Sequence, residues 1–246
     1  MEANKYYSMD QIHNYTEEEN KIWATAYSRI LNFLGDVADE SVMIGIRTIG
    51  LPGDRVPNVE EINEHLAKHT DWRIVPLEDM VDDTQFISML ADKLYPCRTW
   101  VRSIDQVDKM EDEYDIFHDV FGHTSLLYIP TYCLYLEQLG ELALTYINDP
   151  KAILYLKRVY WHTIQYGLIE ANKSLRIYGA HMITSRNEAS YALNAGVPKY
   201  DHNVSIIMDT PYVKNHFQEK YFVISSYEQL LASMDTIKSE LANRLK

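Results

Sequence analysis

Apolar side chains recur every three to four residues along much of the chain, the pattern of helices with one buried face. Thr16-Glu17-Glu18-Glu19 has the form of a capping box. Ile22, Trp23, Ala26, Tyr27, Ile30, Leu31 and Leu34 follow it on one stripe, with Gly35 as the stop. Pro57-Asn58-Val59-Glu60-Glu61 opens a second helix that buries Val59, Ile62 and Leu66, and Thr84 to Leu94 reads as a third. Longer helical patterns cover about 131–146, 151–167 and 185–194, and Ser226-Tyr227-Glu228-Gln229 caps a last helix carrying Leu230, Met234, Ile237 and Leu241. Strand-like runs are few and short: Cys97 to Arg102, Ser205 to Met208 and Tyr221 to Ser225. Leu51-Pro52-Gly53-Asp54 and Gly196-Val197-Pro198 are turns. The fold class expected is mainly α with short β-strands, so loops must position much of any site.

Neither a repeat nor a Gly/Ser linker interrupts the 246 residues, which predicts one domain spanning 1–246. Acidic side chains outnumber basic ones 36 to 23, a net charge of −13 that argues against nucleic acid and anionic membrane surfaces as partners. Two cysteines, Cys97 and Cys133, cannot build a disulfide framework or a cysteine zinc site. The start MEANKYYSMDQ lacks a basic-then-apolar leader, and no window approaches the roughly 20 apolar residues of a membrane span. A cytoplasmic location is the expectation, as a monomer or dimer, since the last helix is too short for a long coiled coil.

The sharpest local feature is Asp115-Ile116-Phe117-His118-Asp119-Val120-Phe121-Gly122-His123. Two imidazoles there are candidate ligands for a transition metal. Five residues of regular α-helix turn the second histidine about 140° from the first, so a plain helix would not aim both at one ion. Gly122 offers a place to bend. On spacing alone, two capping or core histidines remain the stronger reading. In Tyr160-Trp161-His162-Thr163-Ile164-Gln165-Tyr166, one helix face could present Trp161 with Gln165, or simply be a half-buried aromatic helix. Strand alternation would place Arg98, Trp100 and Arg102 on one face, where an arginine could grip a carboxylate or form a surface ion pair.

Taken together these segments resemble the catalytic domain of the biopterin-dependent aromatic amino acid hydroxylases, over about residues 45 to 230. The resemblance runs through Leu51-Pro52-Gly53-Asp54-Arg55-Val56-Pro57, Thr70-Asp71-Trp72, Phe86 before Leu90-Ala91, Arg102 and residues 115–123. It continues through Tyr160-Trp161, Tyr166-Gly167-Leu168 and Tyr178-Gly179-Ala180, leading to Ser185 and Glu188. It implies a helical basket without the regulatory domain of the animal enzymes, working with iron(II), O2 and a tetrahydropterin such as tetrahydrobiopterin on an aromatic amino acid. By the same resemblance His118 and His123 hold the metal, and Phe86, Val81, Asp119 and Tyr160 form the pterin pocket. Arg102, Trp161, Tyr166 and Thr184 border the substrate, with Arg102 gripping its carboxylate. Asp115 and Ser185 support these groups from behind.

One position departs from the pattern in a way that changes the chemistry. The family's glutamate ligand falls on Gln165, a neutral amide that offers only a carbonyl oxygen and leaves the ion one more positive charge. His162 replaces a usual phenylalanine three residues earlier, which makes Gln165 and His162 the candidate catalytic pair. Glu111 could face Arg102 and compete with a substrate carboxylate, and Thr124-Ser125 replaces a usual Val-Pro. A monooxygenase with a two-His/one-Gln metal shell is the first expectation. The alternatives are a metal-dependent redox enzyme of secondary metabolism that does not use pterin, and a non-catalytic ligand-binding homologue.

Overall fold

A computed structural model describes residues 14–77, 81–107, 114–214 and 216–246. The capping box forms at the start of α1 (Glu17–Val37): the Thr16 hydroxyl accepts the Glu19 N–H at 3.2 Å, and the Glu19 carboxylate accepts the Thr16 N–H at 2.8 Å. The helix runs through Gly35, against expectation. A mid-helix glycine costs only about 1 kcal/mol, less than the buried stripe ending in Leu34 returns. Asp39 caps a helix that periodicity did not reveal, α2 (Glu40–Thr48), because it has only nine residues to show a stripe. Asn58 caps α3 (Val59–Leu66).

Next comes a small parallel β-α-β unit, β1 (Arg73–Leu77), α4 (Asp83–Ala91) and β2 (Leu94–Arg98), paired from Arg73 opposite Leu94 to Leu77 opposite Arg98. The strand expected at Cys97–Arg102 therefore lies three residues earlier, and Arg98, Trp100 and Arg102 do not share a strand face. Helices α5 (Pro130–Thr145) and α6 (Pro150–Tyr160) start at prolines that preset the first turn. A four-stranded sheet in the order β4-β3-β6-β5 joins β3 (Leu168–Ala171), β4 (Ser174–Ile177), β5 (Lys199–Asp201) and β6 (Tyr221–Ile224). Asn172 and Lys173 close the β3–β4 hairpin at φ of 52° and 60°, the left-handed pair that a two-residue turn between twisted strands needs. Between these strands lie α7 (Ala180–Thr184), α8 (Arg186–Leu193) and α9 (Val204–Asp209); α10 (Tyr227–Arg244) closes the fold. The run Ser205–Met208, expected as a strand, is the body of α9. Asn203 caps it by accepting the Ile206 N–H, and a cap outweighs weak β-propensity over so short a run.

The core reaches the histidine segment directly. Trp23 of α1 meets Phe117 edge-on at 5.1 Å, Phe117 stacks on Phe121 at 4.8 Å, and Tyr27 meets Phe121 at 5.4 Å. Each buried ring is worth about 2–3 kcal/mol, so α1 clamps one face of residues 117–123 and fixes the other toward the site. Among the described residues, no helix is long and apolar enough to cross a membrane.

Candidate active site

Residues Phe117–His123 form a π-helical turn, not a regular α-helix. In such a turn residue i bonds to i+5, so His118 and His123 stand one above the other where an α-helix would splay them. Their ring centres are 5.0 Å apart and their planes are 80° apart. A second π-turn, Trp161–Gln165, ends the long helix expected at 151–167. Its Tyr166 N–H bonds to the Trp161 carbonyl at 3.0 Å and turns Gln165 toward the same point. Gly122 lets α7 close over the first turn, since a Cβ there would meet the Ala180 carbonyl at 2.8 Å.

That close approach sets the tautomer of His118. The Thr184 hydroxyl gives its proton to the Ala180 carbonyl at 3.1 Å, leaving its oxygen to accept from His118 Nδ1–H at 3.0 Å. Nε2 of His118 is thereby left as a bare lone pair, buried and without a partner. The Gln165 amide N–H donates to Nε2 of His123 at 3.1 Å, and Gln165 Oε1 is buried without a partner. Burial holds both imidazoles well below the usual histidine range, hence neutral. Asp115 accepts from the His118 N–H at 3.2 Å and from Arg102 Nη2 at 2.6 Å.

A cavity of about 540 Å³ opens beside this centre. On one wall Phe86 meets Tyr160 at 5.5 Å and Tyr95 at 6.1 Å, both edge-on, and the Tyr95 and Tyr160 hydroxyls are 3.1 Å apart. Tyr95 also stacks on His123 at 4.6 Å. Val81 lines this part of the cavity, as does Asp119, both of whose oxygens accept from Arg98 Nη1 at 2.7 and 2.8 Å. The other wall carries Trp161 and Tyr114. Trp161 stacks on Tyr212 at 4.3 Å and tilts against Tyr166 at 5.6 Å. Tyr114 lies flat on His118 at 3.7 Å.

Comparison with known proteins gives this arrangement a family. The model of the biopterin-dependent aromatic amino acid hydroxylases matches residues 2–246. The phenylalanine-4-hydroxylase of Ralstonia nicotianae is 37% identical over 226 residues, 91% of this chain and 72% of that protein. That of Chromobacterium violaceum is 34% identical over 93% of this chain and 77% of its own length. A crystal structure of the C. violaceum enzyme with bound iron(III) and oxidised 7,8-dihydrobiopterin superposes with a TM-score of 0.90 at 33% identity, covering 98% of this chain and 88% of that one. The chain belongs to the biopterin-dependent aromatic amino acid hydroxylase family.

As a hydroxylase of this family the chain is an oxidoreductase, and iron and a biopterin are the cofactors to test against its residues. Iron fits. Two imidazoles sharing one ion at the roughly 2.1 Å of a metal–nitrogen bond have ring centres about 5 Å apart, as His118 and His123 have. Gln165 lies beside the same point, its amide nitrogen 3.1 Å from His123 Nε2, but its ligating atom would be Oε1, so holding the ion requires the amide to turn over and release its hydrogen bond to His123. Among the described residues no three His, Cys, Asp or Glu side chains converge. A pterin fits the aromatic wall of Phe86, Tyr95 and Tyr160 by stacking.

Two expected positions differ in the structure. His162 is not at the site: its ring N–H donates to the Thr210 carbonyl at 3.2 Å and its ring meets Phe222 edge-on at 5.3 Å, because the π-turn sends it to the far side from Gln165. Ser185 caps α8 by accepting the Glu188 N–H, and the hydroxyl bonded to the His118 ring is that of Thr184. Arg102 is buried, with its Nη2 donating to Asp115 at 2.6 Å. Glu111 lies outside the described residues. Sequence reasoning missed Tyr114 and His181, whose ring is 4.9 Å from Tyr166 and 6.0 Å from His118. A histidine three residues before Thr184 on the same short helix was the available signal.

Proposed function

We propose that the protein is an iron(II)- and tetrahydropterin-dependent monooxygenase that hydroxylates the ring of an aromatic amino acid, with a neutral amide where an anionic ligand is usual. The observation that carries this reading is the lone pair of His118 Nε2, bared by Thr184 and set beside His123 by the π-turn. His118, His123 and Gln165 would hold the iron. When bound, iron and reduced pterin supply O2 activation and two electrons. Phe86 and Tyr160 hold the pterin ring by stacking. Asp119 is occupied by Arg98 and orders that wall, leaving recognition of pterin N–H groups to other atoms. Trp161 and Tyr114 exclude water from the metal side, and Tyr166 backs the substrate ring. Arg102, neutralised by Asp115, orders the approach to His118.

The hydrogen bond from Gln165 to His123 favours a second reading, a homologue that binds its ligand with little metal, because the amide occupies the nitrogen a metal would take. Elemental analysis of the purified protein, with O2 uptake measured against tetrahydropterin and a panel of aromatic amino acids, separates the two. Iron with pterin-dependent, substrate-coupled uptake is the expected result. Metal without pterin dependence would support a pterin-independent redox enzyme, and absence of metal after reconstitution would support the binding homologue.

A further inference from the structure

We propose that the mouth of the cavity is an anion-binding subsite built on Lys214, and that it takes a carboxylate or phosphate on the side chain of the bound pterin. This rests on the pterin reading above. The wall that stacks the pterin leads to the mouth. Asp83 lies one turn before Phe86 on α4, and Lys157 lies one turn before Tyr160 on α6. Lys157 Nζ donates to both oxygens of Asp83, at 3.1 and 2.8 Å, so this ion pair sits one helical turn along from the two stacking rings. The two side chains are 40% and 64% exposed, which makes that turn the outer one. A substituent that leaves a ring held by Phe86 and Tyr160 toward solvent leaves past this pair.

The cavity is cationic in an acidic protein. Among the described residues that line it, the cations are Arg98, Lys157 and Lys214 and the carboxylates are Asp83 and Asp119, an excess of one cation in a chain whose acids outnumber its bases 36 to 23. Arg98 is held by Asp119, and Lys157 by Asp83. Lys214 has no partner among the described residues. It lines the cavity together with Tyr212, while Val213 between them is exposed to solvent. Tyr212 stacks on Trp161 at 4.3 Å, and Trp161 Nε1 adds a buried donor without a partner on that side. An ammonium and an indole N–H only donate, so the group this side takes is an acceptor. The net charge of −13 repels anions at a distance, and a local cation with no anion of its own is what lets one settle here. A neutral, hydroxylated side chain gives Lys214 no charge to meet.

Calorimetric titration of the iron-reconstituted protein with dihydroneopterin and dihydroneopterin monophosphate tests this, because the two differ only in the anion and neither supplies electrons for turnover. Dihydrofolate is the carboxylate arm. Wild type should bind the phosphate form about threefold or more tighter than the neutral form, the size of an exposed ion pair. Lys214→Gln should bring the two together, Lys214→Glu should reverse their order, and Lys214→Arg should keep it. The gap should close as ionic strength rises from about 0.02 to about 0.5 M. Lys214→Glu should likewise weaken dihydrofolate about threefold or more, and a loss confined to one of the two anionic probes names the anion the subsite takes. Lys214 is exposed, so its variants are expected to fold, which far-UV circular dichroism checks. Equal affinity for the two neopterins, together with dihydrofolate binding that Lys214→Glu leaves unmoved, overturns the subsite. So does a loss seen only for L-phenylalanine and not for phenethylamine, which would put the amino acid's own carboxylate at the mouth. Failure of wild type to bind any of the pterins overturns the pterin reading as well, a result distinguishable because no ratio is then measured.

Discussion

The two walls of the cavity are finished differently. On the side of α4 and β2 the protein supplies its own partners: Arg98 closes on both oxygens of Asp119, and the Tyr95 and Tyr160 hydroxyls meet at 3.1 Å. On the side of the two π-turns and α7 it does not. His118 Nε2, Gln165 Oε1, Trp161 Nε1 and both nitrogens of His181 are buried without partners. Each bare polar atom costs on the order of 1–3 kcal/mol, so a cluster of them persists where a bound ion or ligand repays it. The satisfied wall recognises its ligand by shape and stacking, whereas the bare wall recognises by bonds still to be made.

The largest effect expected from this contrast is at His118. His118→Ala should take iron from near stoichiometric to background by elemental analysis, with the helical circular dichroism largely unchanged, because α1 packs on Phe117 and Phe121 and not on the imidazole. Retention of iron in that variant would mean that the bare lone pair is not the metal's seat.

The opposite wall should answer in stability before binding. Arg98→Met leaves Asp119 buried without its cation. Breaking a buried pair costs about 3–5 kcal/mol, and roughly 2–3 is expected here because Arg98 is part exposed. The sign with pH follows from Asp119, which burial pushes up to about 6 even beside Arg98. A carboxyl raised above its unfolded value stabilises most when protonated, below about 4, and that contribution is lost as pH rises through its folded value. Without Arg98 the folded value climbs further. Denaturation of the variant should therefore show a large loss at pH 8 that shrinks toward pH 5. A loss independent of pH would mean the pair is not what orders this wall.

Much of this is legible in the amino-acid sequence. The capping box at Thr16, the stripe of α1, the N-terminus of α3 and the cap of α10 are local patterns, and each appears where the periodicity placed it. The π-turns were not legible. Hydrophobic spacing assumes 3.6 residues per turn, and on that assumption His118 and His123 diverge and His162 shares a face with Gln165. A widened turn reverses both conclusions, and its cause is tertiary: α1 behind the first turn and α7 over Gly122. The β1, β3, β4 and β5 strands are three to five residues long, too short to show alternation.

Gln165→Glu tests how the bare wall treats charge. A carboxylate beside two neutral imidazoles should tighten iron(II) about tenfold, equivalent to roughly 1.4 kcal/mol, by restoring an anionic donor. It also loses the amide N–H that Gln165 gives to His123. The metal-free variant should then melt lower than metal-free wild type, while the iron-loaded forms differ little, so the stabilisation by iron grows. Unaltered affinity would place residue 165 off the ion.

Tyr95→Phe should have the smallest effect and is the most discriminating within the satisfied wall. It deletes one hydroxyl of the 3.1 Å pair and keeps the ring stacked on His123. A neutral hydrogen bond is worth about 0.5–1.5 kcal/mol, and Tyr160 is left with a buried hydroxyl, so a loss of about 1 kcal/mol by denaturant titration is expected. Iron stoichiometry and amino acid affinity should not move, because the partners on this wall are internal and no ligand bond is lost. Pterin affinity should fall by less than about fivefold, since stacking on Phe86 remains. A change in iron or amino acid binding as large as that in pterin binding would mean that the two walls act as one network, and the division between self-satisfied and ligand-satisfied surfaces would have to be abandoned.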